Sequence, residues 1–239
     1  MLPFSFNIHK HLRDALRSFF KDIKDKGETV ASPGAVKEYP RMPRVALPAE
    51  PKLSENLEET LKKRRSSRGF SGEMALTELG ALLRNALGNR KRTRPYPSGG
   101  GLYPIETYVL VRKVKKLEQG VYHFRPDLNV LEYLWKLPSE AKFFTKPNWL
   151  AWADDTAATI IFTGLWNRNY EKYRDFGYYL GMLEAGHMAQ NVLLAAATLN
   201  LEACPIAGFD DPTIVSLLDI DEKIEQPVYT VALGKIRID

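Results

Sequence analysis

The chain has 239 residues, 44% hydrophobic and 26% charged. That is enough for one substantial core, too little for two full domains, and too apolar for a disordered or fibrous protein. The net charge of +5 is mild. Much of it sits in two runs, Lys62–Lys63–Arg64–Arg65 and Arg90–Lys91–Arg92–Thr93–Arg94. They lack the aromatics of a nucleic-acid groove, so nucleic acid is not the expected partner, whereas a phosphate-bearing small molecule needs only a few such side chains. The one cysteine, Cys204, excludes an internal disulfide. With no signal-peptide pattern and no apolar run of spanning length, the expectation is a cytoplasmic protein with no membrane partner.

Residues 5–26 read as a basic amphipathic helix, with Leu12, Leu16, Phe19, Phe20 and Ile23 at helical spacing, suited to packing on a partner subunit or on its own core. Residues 27–52 hold Pro33, Pro40, Pro43, Pro48 and Pro51 and read as an extended arm too Pro-rich for regular structure. The chain thus divides into an arm, 1–53, and a compact domain, 54–239. Ser54 opens a helix running to about Arg65; Thr77 caps the next, with Leu79, Leu82, Leu83 and Leu87 inward.

After a turn-rich stretch, 95–104, a strand runs from Glu106 to Val114. A hairpin follows, 120–124 with 129–134 around Pro126–Asp127. Residues 138–153 read as helical pieces and Thr156–Thr163 as an apolar strand. A long helix spans Tyr178–Leu199, a short one begins at Asp211–Pro212 and ends at Leu218, and the last strand is Val228–Gly234. Strands grouped as hairpins predict the α+β class, a mostly antiparallel sheet flanked by helices.

Rossmann, Walker A, zinc and serine-hydrolase signatures are missing. Five stretches stand out. Arg64–Arg65–Ser66–Ser67–Arg68 could clamp a phosphate or be a solvated helix end. Pro97–Ser98–Gly99–Gly100–Gly101 lets backbone approach a flat ligand, or is a turn. Glu184, His187 and Asn191 share a face of the long helix, read as a satisfied structural network. Cys204–Pro205–Ile206–Ala207–Gly208 is small enough for a ring to come close, with Cys204 a buried small hydrophobe. Lys172–Tyr173 reads, on residues alone, as a surface lysine beside a packing tyrosine.

In order, Arg64–Phe70, Pro97–Glu106, Leu183–Asn191 and Ala203–Asp210 resemble the SagB/McbC-type branch of the nitroreductase superfamily. These are oxidoreductases dependent on flavin mononucleotide (FMN), and include the dehydrogenases that form thiazoles and oxazoles in peptides. The resemblance covers 54–239. It implies a nitroreductase-like fold and a homodimer with FMN at the subunit interface. It places Arg64, Arg65, Ser66 and Arg68 at the phosphate, with Lys235 or Arg237 completing the clamp. Pro97, Ser98, Gly99, Gly100, Ile206, Ala207 and Gly208 lie near the ring. It also matches Lys172 and Tyr173 to a catalytic Lys–Tyr pair; where the branch then carries Tyr-Arg, this chain has Tyr178–Tyr179. The implied substrate is a peptide azoline or a small molecule; the alternative is an NAD(P)H-dependent reductase of nitro compounds or quinones.

Overall fold

Runs such as Ile105–Val111 and Ala158–Leu165 are rich in β-branched and aromatic residues and are apolar on both faces, which suits strands covered from both sides. In the computed structural model, which describes residues 4–26, 36–70, 72–89, 93–138, 152–153 and 155–235, they form the middle of a seven-stranded sheet. The strands are β1 (Arg44–Ala46), β3 (Ile105–Val111), β5 (Gly120–Arg125), β6 (Val130–Trp135), β7 (Ala158–Leu165), β8 (Glu202–Ile206) and β9 (Glu225–Gly234). Their order is β1-β6-β5-β3-β7-β9-β8, every pairing antiparallel. Two short strands, β2 (Met74–Ala75) and β4 (Val114–Lys115), pair in parallel beside it. This is the α+β, mostly antiparallel architecture expected.

Alternation along the strands builds two cores. On one face Val109, Ile160, Phe162, Val231 and Leu233 meet Leu79, Leu82 and Leu83 of α3 (Leu76–Ala86) and Met188, Val192 and Ala196 of α5 (Phe176–Thr198). On the other, Tyr108, Leu110, Ile161 and Ala232 meet Ile214, Leu217 and Leu218 of α6 (Asp211–Leu218). Helix α2 (Leu57–Lys63) lies at the C-terminal end of α5, where Thr60 and Thr198 hydroxyls are 3.3 Å apart. Helices α1 (Phe4–Lys26) and α4 (Asn167–Tyr173) lie against α5, and His11 of α1 reaches Asp175 at 3.2 Å.

Several boundaries differ from the sequence reading, each for a local reason. Asn56, not Ser54, caps α2, its side chain accepting the Glu59 N–H at 3.0 Å. Thr77 lies inside α3, whose start is closed by the Glu78 carboxylate accepting the Ala75 N–H. The Pro-rich stretch does form one strand, β1, at the sheet edge where lost donors are tolerated. The strand after the glycines stops at Val111, and Val114 belongs to β4. Most of the helical pieces expected over 138–153 fall outside the described residues.

Candidate functional site

The three glycines after Ser98 form a single tight turn, Gly99–Gly101, in which Gly100 has φ +64° and Gly101 φ +67°. A Cβ on Gly100 would stand 2.9 Å from the Tyr173 hydroxyl, and one on Gly99 2.9 Å from Leu180 Cδ1. Bare backbone is therefore what fits, and the turn makes a half-exposed shelf. Tyr173, seventy residues along the chain, lies on that shelf, and the Lys172 ammonium is 5.6 Å from its ring centre. The end of α4 thus brings the sequence-predicted Lys172–Tyr173 pair to Ser98–Gly100.

The second half is a basic surface at the other end of α5. The Ser67 N–H bonds to the Ala203 carbonyl, which lays the 64–68 segment along edge strand β8. An open groove of about 450 Å³ there is lined by Lys62, Lys63, Arg65, Leu193, Ala197 and 200–203. Arg65 pairs with Glu202 at 3.0 Å, whereas Arg64 has no ion pair among the described residues. Arg68 lies beside Cys204, whose buried thiol is pushed up by desolvation and partly restored by that guanidinium. Beyond β8, Ala207 and Gly208 are exposed and Ile206 is buried. Lys235 is tied to this region by the Gly72–Lys235 bridge, with its ammonium on Glu78 at 2.6 Å. Pro97 is exposed beside the shelf; Arg237 lies outside the described residues.

The halves do not meet within one chain. Leu180 marks the shelf and Leu193 to Ala197 mark the basic groove, a separation of about 20–25 Å at 1.5 Å per helical residue. Between them α5 presents Leu183, Gly186, His187 and Gln190 to the exterior, and Tyr178 near its start is half exposed.

Behind the shelf lies a buried ionic cluster that sequence reasoning missed. Arg94, the last residue of the second basic run, stacks its guanidinium 4.4 Å from the Tyr103 ring centre and donates to the Tyr96 hydroxyl. Arg168 of α4 donates to the Tyr103 carbonyl and pairs with Glu106 at 2.5 Å. His123 bridges Glu106 (3.0 Å) and Glu132 (3.1 Å), each ring nitrogen facing a carboxylate. Burial works against the imidazolium, but the two carboxylates prevail and raise its pKa. Burial likewise works against the Glu106 carboxylate, but His123 and Arg168 hold it down at about 2. A lone charge on an apolar strand, Glu106 in Ile105–Val111, was the available signal, since such a group must find partners.

The long helix corrects the expected network. His187 is exposed, and Asn191 turns its amide to the Ala86 and Pro95 carbonyls. Glu184 is buried, and neither of its oxygens completes a hydrogen bond. Desolvation pushes its carboxyl up to about 7, although the Ser98 hydroxyl, Arg94 and Arg168 pull the other way.

Comparison with known proteins agrees with this fold. A family model described as the nitroreductase family matches residues 61–235. The protein MJ1384 of Methanocaldococcus jannaschii, assigned by name to the nitroreductases, is 34% identical over 187 residues, which is 75% of this chain and 90% of that one. The Microcin B17-processing protein McbC of Escherichia coli is 27% identical over 155 residues, 61% of this chain; the match spans only 56% of McbC. Among solved structures, the E. coli microcin synthetase McbBCD complex with truncated pro-MccB17 bound contains a chain sharing this fold at TM-score 0.63. The two are 19% identical, with 99% of this chain and 98% of that one covered.

Proposed function

Because the chain belongs to the nitroreductase family of oxidoreductases, we propose that it is an FMN-dependent dehydrogenase of the SagB/McbC type that oxidises azoline rings in a peptide to azoles. The observation that carries this reading is the placement of Tyr173 against the glycine turn with Lys172 beside its ring, which supports a proton-transfer pair next to exposed backbone. The similarity to McbC supports the substrate class.

The residues fit the cofactor. The shelf has no room for a Cβ and offers backbone, and 64–68 offers Arg64 and Arg68 beyond the paired Arg65. Arg64, Arg65, Ser66 and Arg68 hold the phosphate by charge-assisted bonds, and Lys235 joins them if it exchanges Glu78 for the ligand. Pro97, Ser98, Gly99, Gly100, Ile206, Ala207 and Gly208 border the ring. The gap along α5 is too long for a five-carbon ribityl chain to bridge. A two-fold dimer with α5 helices running antiparallel sets one protomer's shelf against its partner's clamp, and the exposed Tyr178, Leu183 and Gly186 supply the apolar, close-packing contact. Bound there, FMN supplies a two-electron acceptor for hydride. Tyr173 or Lys172 takes the proton that leaves as the substrate ring becomes aromatic. The buried Arg168–Glu106 pair fixes the helix that carries both residues.

The test is the visible spectrum of the purified protein with mass identification of the released ligand. Incubation with an azoline peptide and, separately, with NAD(P)H follows. FMN and azole formation in air with slow NAD(P)H bleaching support the reading. Rapid bleaching without azole formation replaces it with a nitro- or quinone-reductase.

A further inference from the structure

We propose that Lys37, in the Pro-rich arm, is a positioning residue for the reaction: its ammonium occupies the buried Glu225 carboxylate, which leaves Arg168 on Glu106, and through Arg168 it holds Tyr173 against the glycine shelf. Its role in turnover rests on the dehydrogenase reading; the placement of Tyr173 is independent of that reading.

The segment Lys37–Tyr39 donates to three buried carboxylates on three different strands. The Lys37 N–H donates to Glu106 Oε1 of β3 at 3.3 Å, and the Tyr39 N–H to Glu132 Oε2 of β6 at 3.0 Å. The Lys37 ammonium donates to Glu225 Oε2 of β9 and to the Tyr108 hydroxyl, each at 2.6 Å. That hydroxyl gives its single proton to Glu225 Oε1 at 3.0 Å, so the Tyr39 hydroxyl, 3.0 Å away, donates to it as well. Burial works against the ammonium, but Glu225 outweighs it and keeps Lys37 charged.

The charges show why the arm bears on the shelf. The carboxylates of Glu106, Glu132 and Glu225 are matched by Lys37, His123 and Arg168. Glu132 also faces Arg44 and Arg125 at the sheet edge, with Arg125 shared between Glu38 and Asp127. Glu225 lies close to Glu106: Thr163, the register partner of Glu106, donates to Glu225 at 2.6 Å. Without the Lys37 ammonium, Glu225 becomes a buried charge that competes with Glu106 for Arg168. Arg168 pairs with the same Glu106 oxygen that accepts the Lys37 N–H. It also donates to the Tyr103 carbonyl, and the Tyr103 N–H closes the glycine turn on Ser98 Oγ. A displaced Arg168 therefore shifts both α4, which carries Tyr173, and the turn that Tyr173 faces.

The test compares wild type, Lys37→Met, and Lys37→Met combined with Glu225→Gln, all as full chains with 3-fluorotyrosine in place of Tyr173. Fluorine NMR of the apoproteins reads the surroundings of that ring. Lys37→Met should move or broaden the resonance, and the paired variant should return it, because a neutral Gln does not draw on Arg168. In parallel, FMN-loaded proteins with the natural Tyr173 are assayed on an azoline peptide. Lys37→Met should lower kcat about 10–100-fold, the cost of a misplacement near 1 Å, with FMN content and KM unchanged. The paired variant should recover kcat. A resonance that Lys37→Met leaves in place overturns the proposal. So does one that stays displaced in the paired variant, since Lys37 then acts by packing and not by holding Glu225. A chain that binds no FMN overturns the flavin reading, while the resonance still decides the placement of Tyr173. If Lys37→Met does not fold, Lys37→Gln, which keeps a donor for the Tyr108 hydroxyl, carries the same comparison.

Discussion

Replacing Glu184 by Gln should change stability in a way that depends on pH, and the size follows from burial. In the folded chain the Glu184 carboxyl keeps its proton up to about 7, against an ordinary 4.5 when solvated. Between those values the folded state binds more protons than the unfolded state, so unfolding free energy falls as pH rises. The contribution is complete below 4.5 and gone above about 7. At about 1.4 kcal/mol per tenfold in proton affinity, the separation is worth about 3 kcal/mol. Gln has nearly the same shape and does not titrate. It introduces an amide with unmatched donors, which costs about 1–3 kcal/mol at every pH. The variant should therefore be less stable than wild type at pH 5 and equal or more stable at pH 8. The pH-dependent part of the difference, about 3 kcal/mol, is free of that constant packing cost. Urea unfolding followed by circular dichroism, at fixed protein concentration and in steps from pH 5 to 8, measures it directly. A stability difference that stays flat across this range would show that Glu184 is ionised throughout, and the reasoning from its orphaned oxygens would fail.

Other outcomes follow from the same structure. His123→Gln removes the imidazolium between two buried carboxylates and should cost about 3–5 kcal/mol. Because the His123 pKa is raised in the folded state, wild-type stability should decline as pH climbs above the ordinary histidine value, and urea midpoints of the variant should lack that decline. Tyr173→Phe should retain FMN and lose azole formation by about 10²–10⁴-fold, read by mass spectrometry of the peptide; unchanged turnover would assign the proton to Lys172. Gly100→Ala forces a Cβ at φ +64° to within 2.9 Å of the Tyr173 hydroxyl. It should weaken FMN binding and cost about 1–3 kcal/mol of stability, seen as a lower melting temperature.

The parts of the fold legible in the sequence are those with a strong period. The long apolar helix, the hairpin around Pro126–Asp127 and the last strand emerge within a few residues of their observed bounds. What escaped has weak local signals. Strand β8 contains Pro205 and was read as small residues suited to ring approach; it is an edge strand bonded only to β9, where a missing N–H costs little. Helix α4 starts at Trp166 with no side-chain cap and ends at Arg174 with φ +51°, so neither end carries the usual residues. At the candidate site, the glycine turn and the arginine cluster are written in consecutive residues and could be read directly. The ionic cluster of Arg94, Glu106, His123, Glu132 and Arg168 could not, because its members come together only when β3, β5, β6 and α4 are packed. The distance between shelf and clamp was hidden for the same reason, being set by how much of α5 lies between them.

That distance supplies the most direct measurement. One chain carries Arg64→Glu with Arg68→Glu, disabling the clamp; a second carries Gly100→Leu, disabling the shelf. Each alone should purify colourless. Co-expressed and freely assorted, half of the dimers should be mixed, and each mixed dimer has one site built from two intact halves. FMN should therefore reappear at about a quarter of all sites. If the co-expressed material is as colourless as its parents while the wild-type protein binds FMN, clamp and shelf belong to one chain, and the two-chain site is wrong.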